Sequence, residues 1–208
     1  MIYCYPSQNT EIKQGDIFVG LPWFDFSMDK IKILNSKEVN DVNWSDVVGT
    51  NEAVDALLTV RPVTAIVANQ DCDNIRAKYI TLCAILPFDE VFSKKTGTIT
   101  QRDFIKVTTK HDRINLKWFY LPNDNKIGFT QKMAVDFFAT IRVQRVELEQ
   151  LRNFRKGTLN DTAGEHFREK LSEFYRRYPY NEWYPLDKDE FLIYKKDHPE
   201  AKPYSWQR

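Results

Sequence analysis

Two apolar runs of strand length lie near the middle of the chain, with a polar cluster between them. The first run is 63–68 and the second is 79–86, and both are rich in β-branched residues. Such runs predict adjacent central strands of a sheet, at 63–69 and 79–86. The cluster Asn69-Gln70-Asp71-Cys72-Asp73 brings two carboxylates, a thiol and two amides into five positions. The pattern therefore predicts a site at the exit of the first strand.

The pattern predicts further strands on either side of this pair. Gly15-Asp16 is typical of a turn, because glycine adopts positive φ and aspartate bonds its own backbone. The strand 17–21 follows this turn, and its alternation continues through 23–26 as a hairpin or bent strand. Later strands are predicted at 116–121, at 134–143 and, in the C-terminal tail, at 191–194.

Helical spacing dominates the region from 146 to 178. A short helix contains Leu148 and Leu151 and is broken at Gly157. A longer helix is predicted over 162–178, where apolar residues recur every three or four positions: Ala163, Phe167, Leu171, Phe174, Tyr175 and Tyr178. Trp44-Ser45-Asp46 is expected to cap a short helix, and further helical stretches are predicted at 52–58, with Asn51 as N-cap, and around 101–107.

Composition narrows the classes of protein. A hydrophobic content of 42% in 208 residues fits a globular chain with a sizeable core. The net charge of +1 means that any nucleic-acid surface is a local patch. The three cysteines have no zinc-like spacing, which favours a reduced, cytoplasmic protein. No apolar stretch approaches the roughly 20 residues that cross a bilayer, and no signal peptide is visible, so no membrane association is expected.

Short motifs carry a resemblance over residues 14–90. Gly15-Asp16-Ile17 and Arg61-Pro62-Val63, each leading into an apolar strand, resemble the PemK/MazF-like fold, a small SH3-like barrel of ribonuclease toxins. The chain departs from that pattern by a long insertion after Phe26, and Thr81 is no secure counterpart of the toxins' Ser or Thr. The chain also looks like uncharacterised bacterial defence-island-type proteins with a Gln-Asp-Cys-Asp motif, some of them encoded near anti-phage genes.

The resemblance and the pattern together predict an α+β protein. Residues 1–145 are expected to form a bent SH3-like β barrel with an insertion at 28–60. Residues 146–208 are expected to form a C-terminal helical pair and a tail that pack on this core.

The polar cluster allows three interpretations. If the strand continues through it, Asp71 and Asp73 share a face about 7 Å apart, where they can bind Mg²⁺ or Mn²⁺ or divide acid and base roles. Partner carboxylates are then Asp16, Asp89 or Glu90. Cys72 is placed on the opposite, core-facing side, and a catalytic role for its thiol needs a nearby base. Alternatively, the cluster contacts a ligand or nucleic acid, or it only turns and caps the chain.

Basic residues form two groups that suit a phosphate backbone, with aromatics interleaved. The first group is predicted to bind nucleic acid and contains Lys94, Lys95, Arg102, Lys106 and Arg113. The second leads into the helices and contains Arg142, Arg145, Arg152, Arg155 and Lys156. An ordinary solvated surface is the alternative for both.

The leading hypothesis is a defence- or toxin-related protein that binds nucleic acid, and nuclease activity is one form of this hypothesis. The alternative is a non-catalytic interaction module that docks on a partner protein, encoded nearby, and regulates it. A small-molecule hydrolase is a third reading. A basic groove beside Asp71 favours the first hypothesis, and a large exposed apolar patch favours the second.

Overall fold

The computed structural model describes residues 2–24, 30–35, 38–50, 53–90, 117–176 and 188–203. Its strands in chain order are β1 (Tyr3–Cys4), β2 (Asp16–Phe24), β3 (Ile31–Asn35), β4 (Glu38–Val42), β5 (Ala56–Leu57), β6 (Val60–Val67), β7 (Tyr79–Pro87), β8 (Trp118–Leu121), β9 (Met133–Gln144) and β10 (Arg155–Leu159). The α-helices are α1 (Trp44–Val47), α2 (Asp71–Arg76), α3 (Arg145–Gln150), α4 (Asp161–Tyr175) and α5 (Lys188–Asp197), and 3₁₀ turns cover Val48–Thr50 and Arg152–Phe154. The chain divides into two compact units, Met1–Phe174 and Tyr175–Arg208.

Seven antiparallel strands form the central sheet, in the order β1-β10-β2-β6-β7-β9-β8. The strands predicted at 63–69, 79–86, 116–121 and 134–143 are confirmed as β6, β7, β8 and β9, with shifted ends. The predicted turn at Gly15-Asp16 is also confirmed. Gly15 has φ +88°, and Asp16 Oδ2 accepts the N–H of Lys13 at 2.9 Å.

The closed barrel is not what the described residues form. Strands β1 and β8 are the edges of the central sheet and do not pair with each other, so the sheet stays open. It is nevertheless curled, because the two ends meet through side chains. The Tyr3 hydroxyl donates to the carbonyl of Pro122 at 2.7 Å, and the Tyr5 hydroxyl donates to Asp124 Oδ2 at 2.6 Å.

Helices cover both faces of the sheet. On one face α4 contributes Phe167, Leu171 and Phe174 to a core with sheet residues such as Ile66 and Val135. On the other face Leu148 of α3 packs with a second buried set, Phe18, Leu21, Val67, Ile80 and Leu82. The alternation of β7 explains this division, since successive side chains point to opposite faces.

A buried ion pair fixes the chain before β2. The Arg155 guanidinium lies 2.8 Å from Asp16 Oδ2, and both side chains are almost fully buried. The same guanidinium donates to the carbonyls of Ser7, Thr10 and Glu11. Such a pair is tolerated in the interior only when its remaining hydrogen bonds are satisfied, and here the loop carbonyls accept most of them.

The insertion between β2 and β6 folds as a separate three-stranded sheet in the order β4-β3-β5. Its inner face buries Ile31, Ile33 and Val47, the last from α1. A short helix is present here as expected, but residues 44–46 lie within it and Asn43 occupies the N-cap position. The helix predicted over 52–58 is wrong in its described part, because Ala56 and Leu57 pair with β3 as a strand.

Two predictions for the C-terminal region are also wrong. Residues 155–159 form β10 and not a break between helices, because they pair with both β1 and β2. The strand predicted at 191–194 lies inside α5, whose first turn is acidic and whose last turn is basic, as a helix dipole favours. The long helix is confirmed as α4, and the helix at 101–107 lies outside the described residues.

Candidate functional site

The polar cluster does not continue the strand, as one interpretation required. Strand β6 ends at Val67, although the N–H of Ala68 still donates to the carbonyl of Thr81 at 2.9 Å. The side-chain oxygen of Asn69 then accepts the N–H of Thr81 at 2.6 Å, so this asparagine side chain takes the position of the next ladder carbonyl. The chain turns into α2 at Asp71.

Asp71 has a structural partner in the loop before β2. Its Oδ1 accepts the N–H of Gln14 at 2.6 Å, and the side-chain amide of Gln14 donates to the carbonyl of Ala68 at 2.7 Å. These two bonds tie the start of α2 to the start of β2. Asp71 is exposed, so its second oxygen stays open to solvent.

Asp73 and Cys72 do not occupy the positions expected from a continued strand. Residues two apart in a helix point in nearly opposite directions, so Asp71 and Asp73 do not share one side. Cys72 is exposed, and its predicted core-facing placement is wrong because the helix turns it outward. Its Sγ lies 3.9 Å from Gln70 Oε1 and 4.0 Å from Asp73 Oδ1.

The partner carboxylates proposed for a metal are dispersed. Asp16 is committed to Arg155, and Asp89 and Glu90 are exposed at the far end of β7. Within the described ranges, no three side chains among His, Cys, Asp and Glu are placed to hold a metal ion. A role for Asp71 and Asp73 as Mg²⁺ or Mn²⁺ ligands stays a prediction.

Asn74 was not singled out by the sequence, yet it is the buried polar residue of α2. Its amide nitrogen donates to the carbonyl of Asn69 at 3.3 Å, and its Oδ1 is buried without a partner among the described residues. The amide holds the loop against the helix. A strand-period interpretation of the cluster had no means of finding this residue.

The second feature lies on the face of the central sheet that packs against α4. One half of this face lies under α4, and the other half carries polar side chains. Strands β7 and β9 pair Tyr79 with Gln144, Thr81 with Arg142, and Cys83 with Thr140. Residues directly opposite each other share a face, and alternation puts residues two apart on it as well. All of these except Cys83 have exposed or half-buried side chains. We call this surface the open face, formed by Tyr79, Thr81, Thr140, Arg142 and Gln144.

A bulge in β9 marks the limit of the open face. The register shifts between Cys83 and Ala84, where β9 places Phe137, Phe138 and Ala139 between paired residues. Beyond the bulge the same face is apolar and lies under α4, with the Phe137 ring 5.4 Å from the ring of Phe174. Burial there, together with the nearby charge of Asp136, raises the pKa of the Cys83 thiol to about 12.

Tyr79 lies at the start of the open face with two cations over its ring. The guanidinium carbon of Arg142 is 4.7 Å from the ring centroid, and the Nζ of Lys78 is 5.4 Å from it. The backbone of Arg145 donates to the carbonyl of Lys78 at 2.9 Å, which brings a third cationic residue to the same edge. The Arg145 guanidinium is paired with Glu149, with its Nη1 2.9 Å from Oε1.

The structure therefore divides the second basic group predicted from sequence. Arg142 belongs to the open face and Arg145 lies next to its edge, whereas Arg155 is buried with Asp16 and cannot contact a phosphate. Lys156 donates to the carbonyl of Asn153 on another part of the surface. Tyr79 was missed as a site residue because it was counted only as the start of an apolar run, and Lys78, which precedes that run, was not singled out. The first basic group, Lys94, Lys95, Arg102, Lys106 and Arg113, lies outside the described residues.

No protein-family model matches the chain, and no curated protein matches it. Among the helices in the described ranges, none has the length and apolar character needed to cross a membrane.

Proposed function

We propose that this protein binds nucleic acid through the open face of the central sheet. The observation that carries the proposal is the placement of Arg142 and Lys78 around the ring of Tyr79. Cationic side chains contact phosphates, and an aromatic ring offers a surface on which a base stacks. Thr81 and Gln144 add hydroxyl and amide groups that hydrogen-bond to sugar, phosphate or base edges.

The binding is expected to be weak in sequence preference and strongly dependent on salt. Lysine and arginine release counterions from the phosphate backbone, so affinity falls steeply as salt rises. The contacts at Tyr79 and Arg142 are too few to read a base sequence of useful length.

The experiment measures binding of fluorescent DNA and RNA oligonucleotides by anisotropy between low and physiological salt. The double variant Lys78→Ala/Arg142→Ala should bind about tenfold more weakly at low salt and show a shallower salt slope. Arg168→Ala, an exposed arginine of α4, is the matched control and should bind like the parent. Equal affinity of the double variant and the control would contradict the proposal.

The first basic group has its own test in the same assay. Replacing Lys94, Lys95 and Arg102 together with Ala should lower affinity for all sequences similarly, because these side chains are expected to contact phosphates. An unchanged affinity would remove this group from the proposed nucleic-acid surface.

We further propose the toxin-like, defence-related character that the resemblance implies, including an SH3-like relationship of the curled sheet. The contact between its two ends supports a barrel-like curvature. Nuclease activity with Asp71 and Asp73 as acidic residues belongs to this proposal. Cleavage of labelled oligonucleotides with Mg²⁺ or Mn²⁺ should be lost in Asp71→Asn and Asp73→Asn but kept in Asp46→Asn. Full cleavage by the first two variants would exclude the acidic site.

One observation favours the alternative, a module that docks on a partner protein. Seven of the sixteen exposed large hydrophobic residues of the described chain lie in the insertion, between Leu34 and Leu58. Concentrated apolar exposure of this kind marks protein interaction surfaces. The insertion sheet is therefore a second candidate site, for a protein and not for nucleic acid.

A further inference from the structure

Strand β4 is the longest open edge in the described structure. The other edge strands are β1 and β5 with two residues each and β8 with four, whereas β4 has five. Its register with β3 is regular over its whole length, without a bulge. It contains neither proline nor lysine, the residues that commonly protect such edges.

The hydrogen bonds of β3 show which groups of β4 point outward. The N–H of Leu34 donates to the carbonyl of Asp55 on the β5 side, so the Leu34 backbone points away from β4. Leu34 and its partner Val39 are therefore a non-hydrogen-bonded pair of the antiparallel ladder. By alternation, the N–H and C=O groups of Val39 and Asp41 face the open edge.

The outer face of the insertion sheet continues this edge as an apolar surface. Leu34, Val39 and Leu57 lie on the face opposite the buried Ile31 and Ile33, and each is about half exposed. Asp41 lies on this same face, opposite Lys32. Glu38 lies at the start of the edge strand on the other face.

The charge of the insertion selects the kind of partner. The sequence from 30 to 60 contains five acidic and three basic residues. Opposite charges in cross-strand pairs stabilise a sheet, and like charges directly opposite destabilise it. A second copy of β4 would bring two net acidic segments together, so a basic strand complements the charge of this edge better.

We propose that β4 binds an extended, basic segment of a partner protein by adding it as a fourth strand to the insertion sheet. In antiparallel register, the partner places lysine or arginine opposite Asp41 and Glu38, and an apolar residue opposite Val39. This inference rests on the second candidate function, the docking module, and names its binding mode and partner chemistry.

The probe is a synthetic peptide containing Val-Lys-Thr-Val-Lys, matched to Val42, Asp41, Asn40, Val39 and Glu38 in that order, with its ends blocked. A second peptide replaces both lysines with glutamate. Titration into the full chain, followed by isothermal calorimetry up to millimolar peptide, should show the basic peptide binding about tenfold more tightly than the acidic one.

Two variants test the edge itself. Val39→Pro removes an outward N–H without touching the β3 ladder, so the insertion sheet should persist in circular dichroism while peptide binding is lost. Asp41→Lys should shift the preference toward the acidic peptide. Glu165→Lys, an exposed position of α4, makes the same charge change elsewhere and should leave the preference unchanged.

Four outcomes would overturn the proposal: no binding of the basic peptide at millimolar concentration, equal binding of both peptides, binding that survives Val39→Pro, or a parent dimer that Val39→Pro dissociates. The last outcome would assign the edge to a second copy of the chain. The docking function itself is tested apart from this mode. If Leu34→Ser and Leu57→Ser weaken binding of the basic peptide while Val39→Pro still binds it, the docking function holds and strand addition fails.

Discussion

The open face of the central sheet and the outer face of the insertion sheet are both solvent-facing β surfaces, but their chemistry is opposite. The first presents Arg142 and Tyr79 with the Lys78 ammonium beside the Tyr79 ring, and α4 covers the neighbouring half of the same sheet face. The second presents Leu34 and Val39 within an acidic segment. This difference shows that the chain keeps a basic, aromatic surface apart from an acidic, apolar one, and it predicts nucleic acid at the first and protein at the second.

The largest expected effect concerns the support of the central sheet. Arg155→Leu leaves the carboxylate of Asp16 buried without its partner, which should lower the free energy of unfolding by about 3–5 kcal/mol. Urea denaturation followed by circular dichroism measures this loss. The double variant Arg155→Leu/Asp16→Leu should recover part of it, because no charge is then left unpaired. A loss below about 1 kcal/mol in the single variant would contradict the structural role of the pair.

A pair of cavity variants tests whether the two sheets are energetically separate. Ile66→Ala in the central core and Ile33→Ala in the insertion core each remove a buried side chain, at a cost of about 2–4 kcal/mol in a cooperative unit. We expect only Ile66→Ala to reduce global stability by this amount, since Ile33 belongs to a small separate cluster. Oligonucleotide affinity should survive Ile33→Ala. Equal losses of stability and of oligonucleotide affinity in both variants would show that the two sheets form one cooperative unit.

Cys83 lies at the boundary between the covered and open halves of the sheet face. Its burial should make the free energy of unfolding depend on pH in the alkaline range. The Cys83 thiol has its pKa raised from 9.0 to about 12 by burial, so the folded state keeps the proton that the unfolded state loses above pH 9. This contribution to stability is complete below pH 9 and disappears as pH rises toward 12. Cys83→Ala should therefore lose less stability between pH 8 and pH 11 than the parent.

The same boundary predicts an order of thiol reactivity. Cys4 and Cys72 are exposed and should react with a disulfide reagent in the native protein, whereas Cys83 should react only on unfolding. Native titration that releases the equivalent of three thiols at one rate would show that α4 does not cover this half of the face.

The smallest expected effect lies on the insertion surface. Leu34→Ser should change the free energy of unfolding by less than about 0.5 kcal/mol, because the side chain is half exposed and outside the buried cluster. A larger loss, measured by urea denaturation, would mean that this face is part of the core and not a docking surface.

The sequence predicted those parts of the fold that have a strong local period. The β-branched runs at 63–68 and 79–86 predict strands from local sequence alone, and the apolar spacing of α4 predicts a helix in the same way. Prediction from the sequence failed where pairing with distant strands decides the conformation. Residues 155–159 have no strand period, with Gly157 at their centre, yet they lie between β1 and β2. Burial of Arg155 among loop carbonyls was equally invisible, because no local pattern brings Ser7 to it.

The conformation of the polar cluster was predicted in part. The interpretation that the cluster turns the chain agrees with the start of α2 at Asp71, whereas the strand interpretation wrongly assigned Cys72 to the core. The Asn69 side chain ends the ladder through its bond to Thr81, a contact that the local sequence pattern does not reveal, and α2 begins two residues later. Arg142 was named in a basic group, whereas its neighbour Tyr79 emerged only once β7 and β9 were paired.

The most direct test of the central claim is photo-crosslinking with oligonucleotides that carry 5-iodouracil, one of DNA and one of RNA, mapped by mass spectrometry. We expect crosslinks on the peptide that contains Tyr79. They should be lost in Tyr79→Leu and weakened in Arg142→Ala. Trp44 of the insertion serves as the internal comparison, since it is an exposed aromatic on the acidic region and should stay uncrosslinked. Crosslinks that map to Trp44 and spare Tyr79 would contradict the assignment of nucleic acid to the open face.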